Sequence, residues 1–304
     1  MELRDADLAV RTRGLTKSFG KRTVVDGLDL AIPRGGVYGF LGPNGSGKST
    51  TMKMLLGLLH PSAGQVFLLG EDPWGEARAR LMPRIGSMIE HPPGYGHLTG
   101  AENMRLLARL LNLETTRIDR ALELVRLTDH RDRLQRTYSL GMKQRLGIAM
   151  ALAREPELLI LDEPTNGLDP AGIEEIRELM IHLASGGVTV MISSHLLDEI
   201  DRMADVLGVL SQGRLVFQGS RKELFERSIP DLLVVTPQAN AAANLVRGCR
   251  LERNGIRVQG CGQEDAARLI VRLVQEGIPI HEVRRLQQSL EEVFMDLTGG
   301  TEAL

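Results

Sequence analysis

Short strand-like stretches fill residues 8 to 32, broken by turn residues at Phe19-Gly20-Lys21 and at Asp26-Gly27. This pattern predicts an antiparallel sheet laid beside a main one. Val37-Tyr38-Gly39-Phe40-Leu41 is a short apolar strand that runs straight into the glycine-rich string GPNGSGKST at residues 42 to 50. Lys48 to Leu59 then reads as a helix stopped by Pro61. Residues 99 to 127 repeat apolar positions at helical spacing, with Thr99 as a cap and Glu102 three residues on. Apolar strands return at 158 to 161, 188 to 193 and 206 to 210 with helices between them, the alternation of a parallel sheet covered on both faces.

The order is that of an α/β core with an antiparallel β subdomain and a helical insertion over about 92–155, the whole spanning residues 1–227. Past Pro230 the pattern changes to strand (232 to 236), helix (239 to 246), two short strands, helix (264 to 275), strand, helix. Residues 228–304 therefore form a small α+β domain resembling a split βαβ unit. With 304 residues, a main domain with a smaller appended one is the expected arrangement.

Bulk numbers remove several function classes. A net charge of −2, from 37 basic and 39 acidic residues, gives no electrostatic reason for a nucleic-acid partner. The few aromatic residues are too scattered to form a base-stacking platform. Cys249 and Cys261, the two cysteines, stand in no C-x-x-C arrangement and read as small buried apolar residues of a chain in a reducing compartment. The start MELRDADLAV mixes charges from its second residue, unlike a secretory signal, and no stretch has the length of apolar residues that spans a bilayer. A membrane role would have to come through a partner.

Two strings carry the chemistry. Gly42, Gly47, Lys48 and Ser49 fit the pattern G-x-x-x-x-G-K-[ST], placed between a strand and a helix as its chemistry requires. Gly42, Gly45 and Gly47, with Asn44 and Thr50 in the same string, would let backbone N–H groups turn towards β- and γ-phosphates at a helix N-terminus. Lys48 would neutralise phosphate charge and Ser49 would give its hydroxyl to Mg²⁺. The second string, LLILDE at 158 to 163, is a buried strand whose C-terminal end presents Asp162 and Glu163. Asp162 would hold Mg²⁺, and Glu163 would act as general base towards an attacking water. ATP and Mg²⁺ are the implied ligands.

With the run SLGMKQRLGIAMALAREPELLILDEPTNGLDP at 139 to 170, the chain resembles the nucleotide-binding subunit of an ATP-binding cassette (ABC) transporter over residues 8 to about 225. YSLGMKQR stands at the family's signature motif, with Tyr138, Leu140 and Met142 departing from it and Ser139 and Gly141 retained. The resemblance implies that Ser139 and Gly141 bind the γ-phosphate of ATP held by the P-loop of a second subunit. It places Asp169 in a loop along that dimer interface, His195 as the residue that hydrogen-bonds the γ-phosphate, and Phe19 under the adenine. Glu90 stands where most of the family has a glutamine touching Mg²⁺ or the attacking water, and an ionised glutamate only accepts hydrogen bonds.

Glu90, YSLGMKQR and the ending SLEEVFMDLTGG together resemble the bacterial subgroup exporting lantibiotics, bacitracin, anthracyclines and other toxic compounds. The implied protein is an ATPase on the cytoplasmic face of the cell membrane, dimerised with itself or a homologous cassette and driving a separately encoded integral-membrane permease. Two alternatives stand beside it: a soluble cassette ATPase acting on ribosome or DNA, and a regulatory subunit without turnover. Two roles are open for the C-terminal domain, a dimerisation brace and a regulatory module, and the resemblance to the drug-export subgroup favours the brace.

Overall fold

The computed structural model describes residues 4–195, 200–246, 248–286 and 292–295. The chain divides into two compact units, the first running to Ser220 and the second beginning at Arg221. The sequence places the boundary near Arg227, where phosphate chemistry stops ahead of Pro230. Packing breaks one helix earlier, so residues 221–227 belong to the second unit.

The first unit runs β1 (Leu8–Phe19), β2 (Arg22–Leu28), β3 (Ala31–Pro33), β4 (Gly36–Leu41), α1 (Lys48–Leu55), β5 (Ala63–Leu68), α2 (Arg78–Leu81), β6 (Ile85–Met88), α3 (Gly100–Leu111), α4 (Thr115–Leu124), α5 (Leu140–Leu152), β7 (Leu158–Asp162), α6 (Pro170–Ser185), β8 (Thr189–Ser194), β9 (Val206–Ser211) and β10 (Arg214–Gly219). β1 pairs antiparallel with β2, β3 and β5. The strand β5 has no counterpart in the local sequence pattern; it is held by long-range pairing, Val10 opposite Leu68 and Thr16 opposite Ala63. The second sheet has the order β10-β9-β4-β8-β7-β6, parallel except for the β9–β10 hairpin.

The helix α1 lies between the two sheets, and its Met52, Met54 and Leu55 join one core with Leu15 and Leu28 from the antiparallel sheet and Phe40, Leu158 and Ile160 from the parallel one. Each such side chain contributes about 1.5–3 kcal/mol on burial, so the helix that succeeds the glycine-rich string is firmly seated. It ends at Leu55, not Leu59. Gly57 takes φ 66°, its N–H donates to the Met54 carbonyl at 3.2 Å, and the Leu58 N–H donates to the Lys53 carbonyl at 2.9 Å. These are the two bonds of a glycine-terminated helix end, and Pro61 lies beyond the stop.

In the insertion, α3 starts as the sequence predicts. Thr99 Oγ1 accepts from the Glu102 N–H at 3.1 Å, and Glu102 Oε2 accepts from the Thr99 N–H at 2.7 Å. Helix α5 buries Leu146, Ile148, Ala149 and Leu152.

The second unit contains α7 (Arg221–Arg227), β11 (Asp231–Val235), α8 (Ala239–Leu245), β12 (Arg250–Glu252), β13 (Gly255–Val258), α9 (Gln263–Gln275) and β14 (Glu282–Leu286). Its strands pair antiparallel in the order β12-β13-β11-β14, the arrangement of a split βαβ domain. Leu232, Val234, Ile256, Leu273 and Ile278 form its core. Buried Asp231 accepts from Arg257 Nε at 2.7 Å and from the Gly260 N–H at 2.9 Å. Cys261 is buried, Cys249 half-buried, and neither forms a disulfide. Of the closing helix, residues 292–295 are described, and they are helical. Among the described residues, no helix is long and apolar enough to cross a membrane.

Candidate active site

Strands β4, β8 and β7 are neighbours in the parallel sheet, so the segments leaving their C-terminal ends converge on one place. From β4 comes the glycine-rich loop. Gly47 adopts φ 109°, and a β-carbon there would lie 2.9 Å from the Val24 carbonyl oxygen, so glycine is required both by conformation and by the approach of β2. The Gly213 N–H, from the β9–β10 turn, donates to the Ser46 carbonyl at 3.0 Å and braces the loop from the other side. No side chain caps α1, which leaves its first-turn N–H groups facing the loop.

Two further features suit an anion. Ser46 is 3% exposed and its Oγ has no hydrogen-bond partner, a buried polar atom that a phosphate oxygen would satisfy. Lys48 is 5% exposed, and its Nζ donates to the Gly42 carbonyl at 2.6 Å and the Pro43 carbonyl at 3.3 Å. Burial lowers its pKa, with Glu163 and Asp162 acting in the opposite direction.

Asp162 ends β7 directly opposite Ser193 of β8. Ser193 Oγ donates to Asp162 Oδ1 at 2.5 Å and accepts from the Glu163 N–H at 3.0 Å, so one buried hydroxyl sets both acids. Glu163 has left the strand with φ 46°, a left-handed backbone uncommon for a side chain of this kind. Its Oε2 lies 3.1 Å from His195 Nδ1 and its Oε1 3.7 Å from Lys48 Nζ. Sequence reasoning singles out neither Ser46 nor Ser193. Ser46 sits in plain view inside the loop, whereas Ser193 is identified only by strand register. Replacing Ser193 by alanine strips Asp162 of a donor and the Glu163 N–H of its acceptor. The expected result is a folding cost of about 1–3 kcal/mol and a kcat lower by about tenfold or more, read by thermal unfolding and steady-state ATPase; turnover at the wild-type rate contradicts the assignment.

Ser49, Glu90, Asp162 and Glu163 line one open cavity of about 460 Å³ together with Leu140, Gln144, Asn166 and Gly167. Ser49 and Asp162 there fit a small hard cation, which takes one or two carboxylates and fills its shell with water and phosphate oxygens. Among the described residues no cluster of three or more His, Cys, Asp or Glu could hold a metal without such help. Glu90, at φ 66°, is directed towards α1: its Oε1 accepts from Lys53 Nζ at 2.5 Å. That hydrogen bond, together with the ammonium charge, lowers the Glu90 pKa.

Ser139, Gly141 and Asp169 do not join the P-loop side chains. They line a separate cavity of about 260 Å³ with Arg126, His130 and Arg145. Ser139 caps α5, its Oγ accepting from the Met142 N–H at 3.2 Å, and Asp169 caps α6, accepting from the Gly172 N–H at 3.1 Å. Phe19 lines neither cavity. It is 51% exposed at the end of the β1–β2 hairpin, so it is no core residue, and Lys17 Nζ sits 5.1 Å from its ring centroid. Asn44 and Gly45 are exposed at the loop tip, and Thr50 is partly buried in α1.

The ABC transporter family model matches residues 25–166, which hold the P-loop, the start of α5 and both acids. The bacitracin transport ATP-binding protein BcrA of Enterococcus faecalis is 39% identical over 302 residues, covering 97% of each chain. The chain belongs to the ABC transporter ATP-binding proteins. The lantibiotic transport ATP-binding protein SrtF of Streptococcus pyogenes is 43% identical over 226 residues, which make up 72% of this chain and 97% of that protein. Among solved structures, cbiO1 of Clostridium perfringens, described as part of the ABC transporter complex cbiONQ, superposes with a TM-score of 0.66 at 30% identity over 73% of this chain and 92% of that one. The nucleotide-binding ATPase expected from the two strings is therefore what this cassette is. SrtF aligns over a length that leaves out more than a quarter of this chain, while BcrA matches nearly all of it.

Proposed function

We propose that two copies of this chain, or this chain and a homologous cassette, bind two Mg²⁺–ATP between them and drive a separately encoded membrane permease that exports a peptide antibiotic or another toxic compound. The observation that carries this reading is the assembly of Lys48, Ser49, Asp162, Glu163 and His195 around one loop with a buried, unpartnered Ser46 hydroxyl. The export class rests on similarity to proteins named for bacitracin and lantibiotic transport.

In this mechanism the triphosphate enters the loop, where backbone N–H groups, Ser46 and Lys48 meet its oxygens. Ser49 and Asp162 would hold Mg²⁺, which would supply positive charge to offset the negative charge of the phosphates. Glu163 orients a water in line with the γ-phosphorus and takes its proton as the bond to the β,γ-bridging oxygen breaks. His195, which shares a hydrogen bond with Glu163, keeps Nε2 for the γ-phosphate. The cavity of Ser139, Gly141 and Asp169 receives the second subunit's nucleotide, so each site is completed by closure. Phe19 stacks on the base, and Glu90, which Lys53 holds here, would be a further carboxylate available to Mg²⁺ beside Asp162.

The test is affinity purification of the tagged chain from detergent-solubilised membranes of its native cell, with partners identified by mass spectrometry. A stoichiometric polytopic membrane protein is the expected partner. Recovery from cytosol with ribosomal or DNA-associated proteins overturns the transporter role.

A further inference from the structure

A buried amide borders the cavity that holds Ser49, Asp162 and Glu163. It belongs to Gln144 of α5, which is 5% exposed, and its Oε1 has no hydrogen-bond partner among the described residues. Burial strips such an oxygen of water at a cost that a fold normally recovers through a partner. No bond holds the oxygen, and the last torsion of a glutamine is soft, so it is free to turn onto a donor that enters the cavity.

Packing sets the amide in this place. Gly147, three residues on, lies against β6 and the segment beyond it, where a β-carbon would stand 2.5 Å from Met88 Sδ and 3.1 Å from Pro93 Cδ. Met88 is paired in register with Leu161 of β7, so the chain leaves β6 towards Glu90 beside the point where β7 ends in Asp162 and Glu163. Helix α5 lies along that edge, and Gln144 shares a helix face with Leu140 four residues earlier, both bordering the cavity of the acids. The neighbouring carboxylates do not serve its oxygen. Ionised Glu90, Asp162 and Glu163 only accept hydrogen bonds, as the amide oxygen does, and Glu90 is held by Lys53 Nζ at 2.5 Å. Asn166 and His91 are exposed, so water serves them.

We infer that Gln144 is a catalytic residue that holds the attacking water together with Glu163. A water attacks phosphorus through an oxygen lone pair, and that lone pair faces the phosphorus only when both O–H bonds are directed elsewhere. Glu163 accepts one of them, and Gln144 Oε1 accepts the other. As the water oxygen bonds to the γ-phosphorus and the bond to the β,γ-bridging oxygen breaks, the first hydrogen passes as a proton to Glu163. The second stays on its oxygen and leaves as the hydroxyl of inorganic phosphate. A neutral amide suits this second place, because it accepts without adding negative charge beside three carboxylates and the phosphates. The inference rests on the reading above in which Glu163 is the base.

Gln144→Met in the full-length chain tests it, since methionine keeps the length of the side chain and removes both polar atoms of the amide. The readouts are melting temperature without nucleotide, retention of a fluorescent ATP analogue, and single-turnover release of phosphate with protein in excess over ATP. The variant should melt at the wild-type temperature or up to about 4 °C above it, because an unpaired buried amide is gone. Nucleotide affinity should stay within about twofold, and cleavage should slow by about tenfold to a hundredfold, the range for one hydrogen bond to a reacting group. Cleavage at the wild-type rate overturns the inference, because the water then does without the amide. A melting temperature several degrees lower also overturns it, because the amide then serves the fold. Weaker nucleotide binding with unchanged cleavage of bound ATP makes Gln144 a binding group and overturns it as well. Glu163→Gln measured beside it separates the two layers. Wild-type cleavage there overturns the base assignment on which the inference stands, whereas slow cleavage there with wild-type cleavage in Gln144→Met overturns the role of Gln144 alone.

Discussion

Glu163→Gln yields a protein that holds ATP, dimerises and scarcely turns over. The amide keeps the size of the carboxylate and can still bond His195 Nδ1, 3.1 Å from the carboxylate in the wild type, so the fold and the His195 contact survive. It cannot take the proton of the attacking water, and general bases are worth about 10²- to 10⁴-fold in rate. The substitution also removes a negative charge 3.7 Å from Lys48, the residue that the proposed mechanism sets against the phosphates. Repulsion between carboxylate and phosphate disappears while Lys48 stays, so nucleotide should dissociate more slowly and the ATP-bound dimer should persist. Steady-state ATPase, retention of a fluorescent ATP analogue and light scattering read the three parts separately. Turnover within a few-fold of wild type would place the proton acceptor elsewhere, with His195 the group in contact.

Legibility in the sequence tracks the range of the interactions. The strand, glycine loop and helix through 37–55, and the strand ending in Asp162, are specified by neighbours in the chain, and the structure forms them there. The Thr99–Glu102 box is local too, and it closes as the spacing predicts. The end of α1 is misplaced by sequence because proline is a conspicuous stop, while Gly57 does the same work four residues earlier through φ 66°. β5 is hidden from a local pattern because its fate depends on β1, more than forty residues away in the chain, with Thr16 set against Ala63. Ser193 is hidden for the same reason: only the register of β7 on β8 puts its hydroxyl between Asp162 and Glu163. A β-carbon on Gly167 would lie 2.5 Å from Leu140 Cδ2, a contact between two motifs that local reading treats one at a time.

Lys48→Met greatly weakens nucleotide binding while leaving the fold in place. Methionine copies the stem of lysine but brings no charge and no donor, so the phosphates keep only backbone N–H groups and hydroxyls. Charge-assisted hydrogen bonds are worth about twice neutral ones, and losing those from a single ammonium should weaken ATP by about a hundredfold. The stability effect is smaller because its parts oppose each other. The Gly42 and Pro43 carbonyls lose a donor and Glu163 loses a neighbouring cation, but Glu163 retains His195, and a buried charge is no longer held out of water. The pH dependence gives the sign. Burial sets the folded-state pKa of Lys48 below its ordinary value of 10.5, so between those two values the unfolded chain binds the proton more tightly. Through that window the wild type gains stability as pH rises, and the methionine variant lacks that contribution. Urea unfolding of both proteins across the alkaline range, beside ATP titration at neutral pH, separates the two consequences. Wild-type affinity in the variant would mean that the loop N–H groups and Ser46 hold the phosphates without the lysine, and that its buried charge serves Glu163 and Asp162 instead.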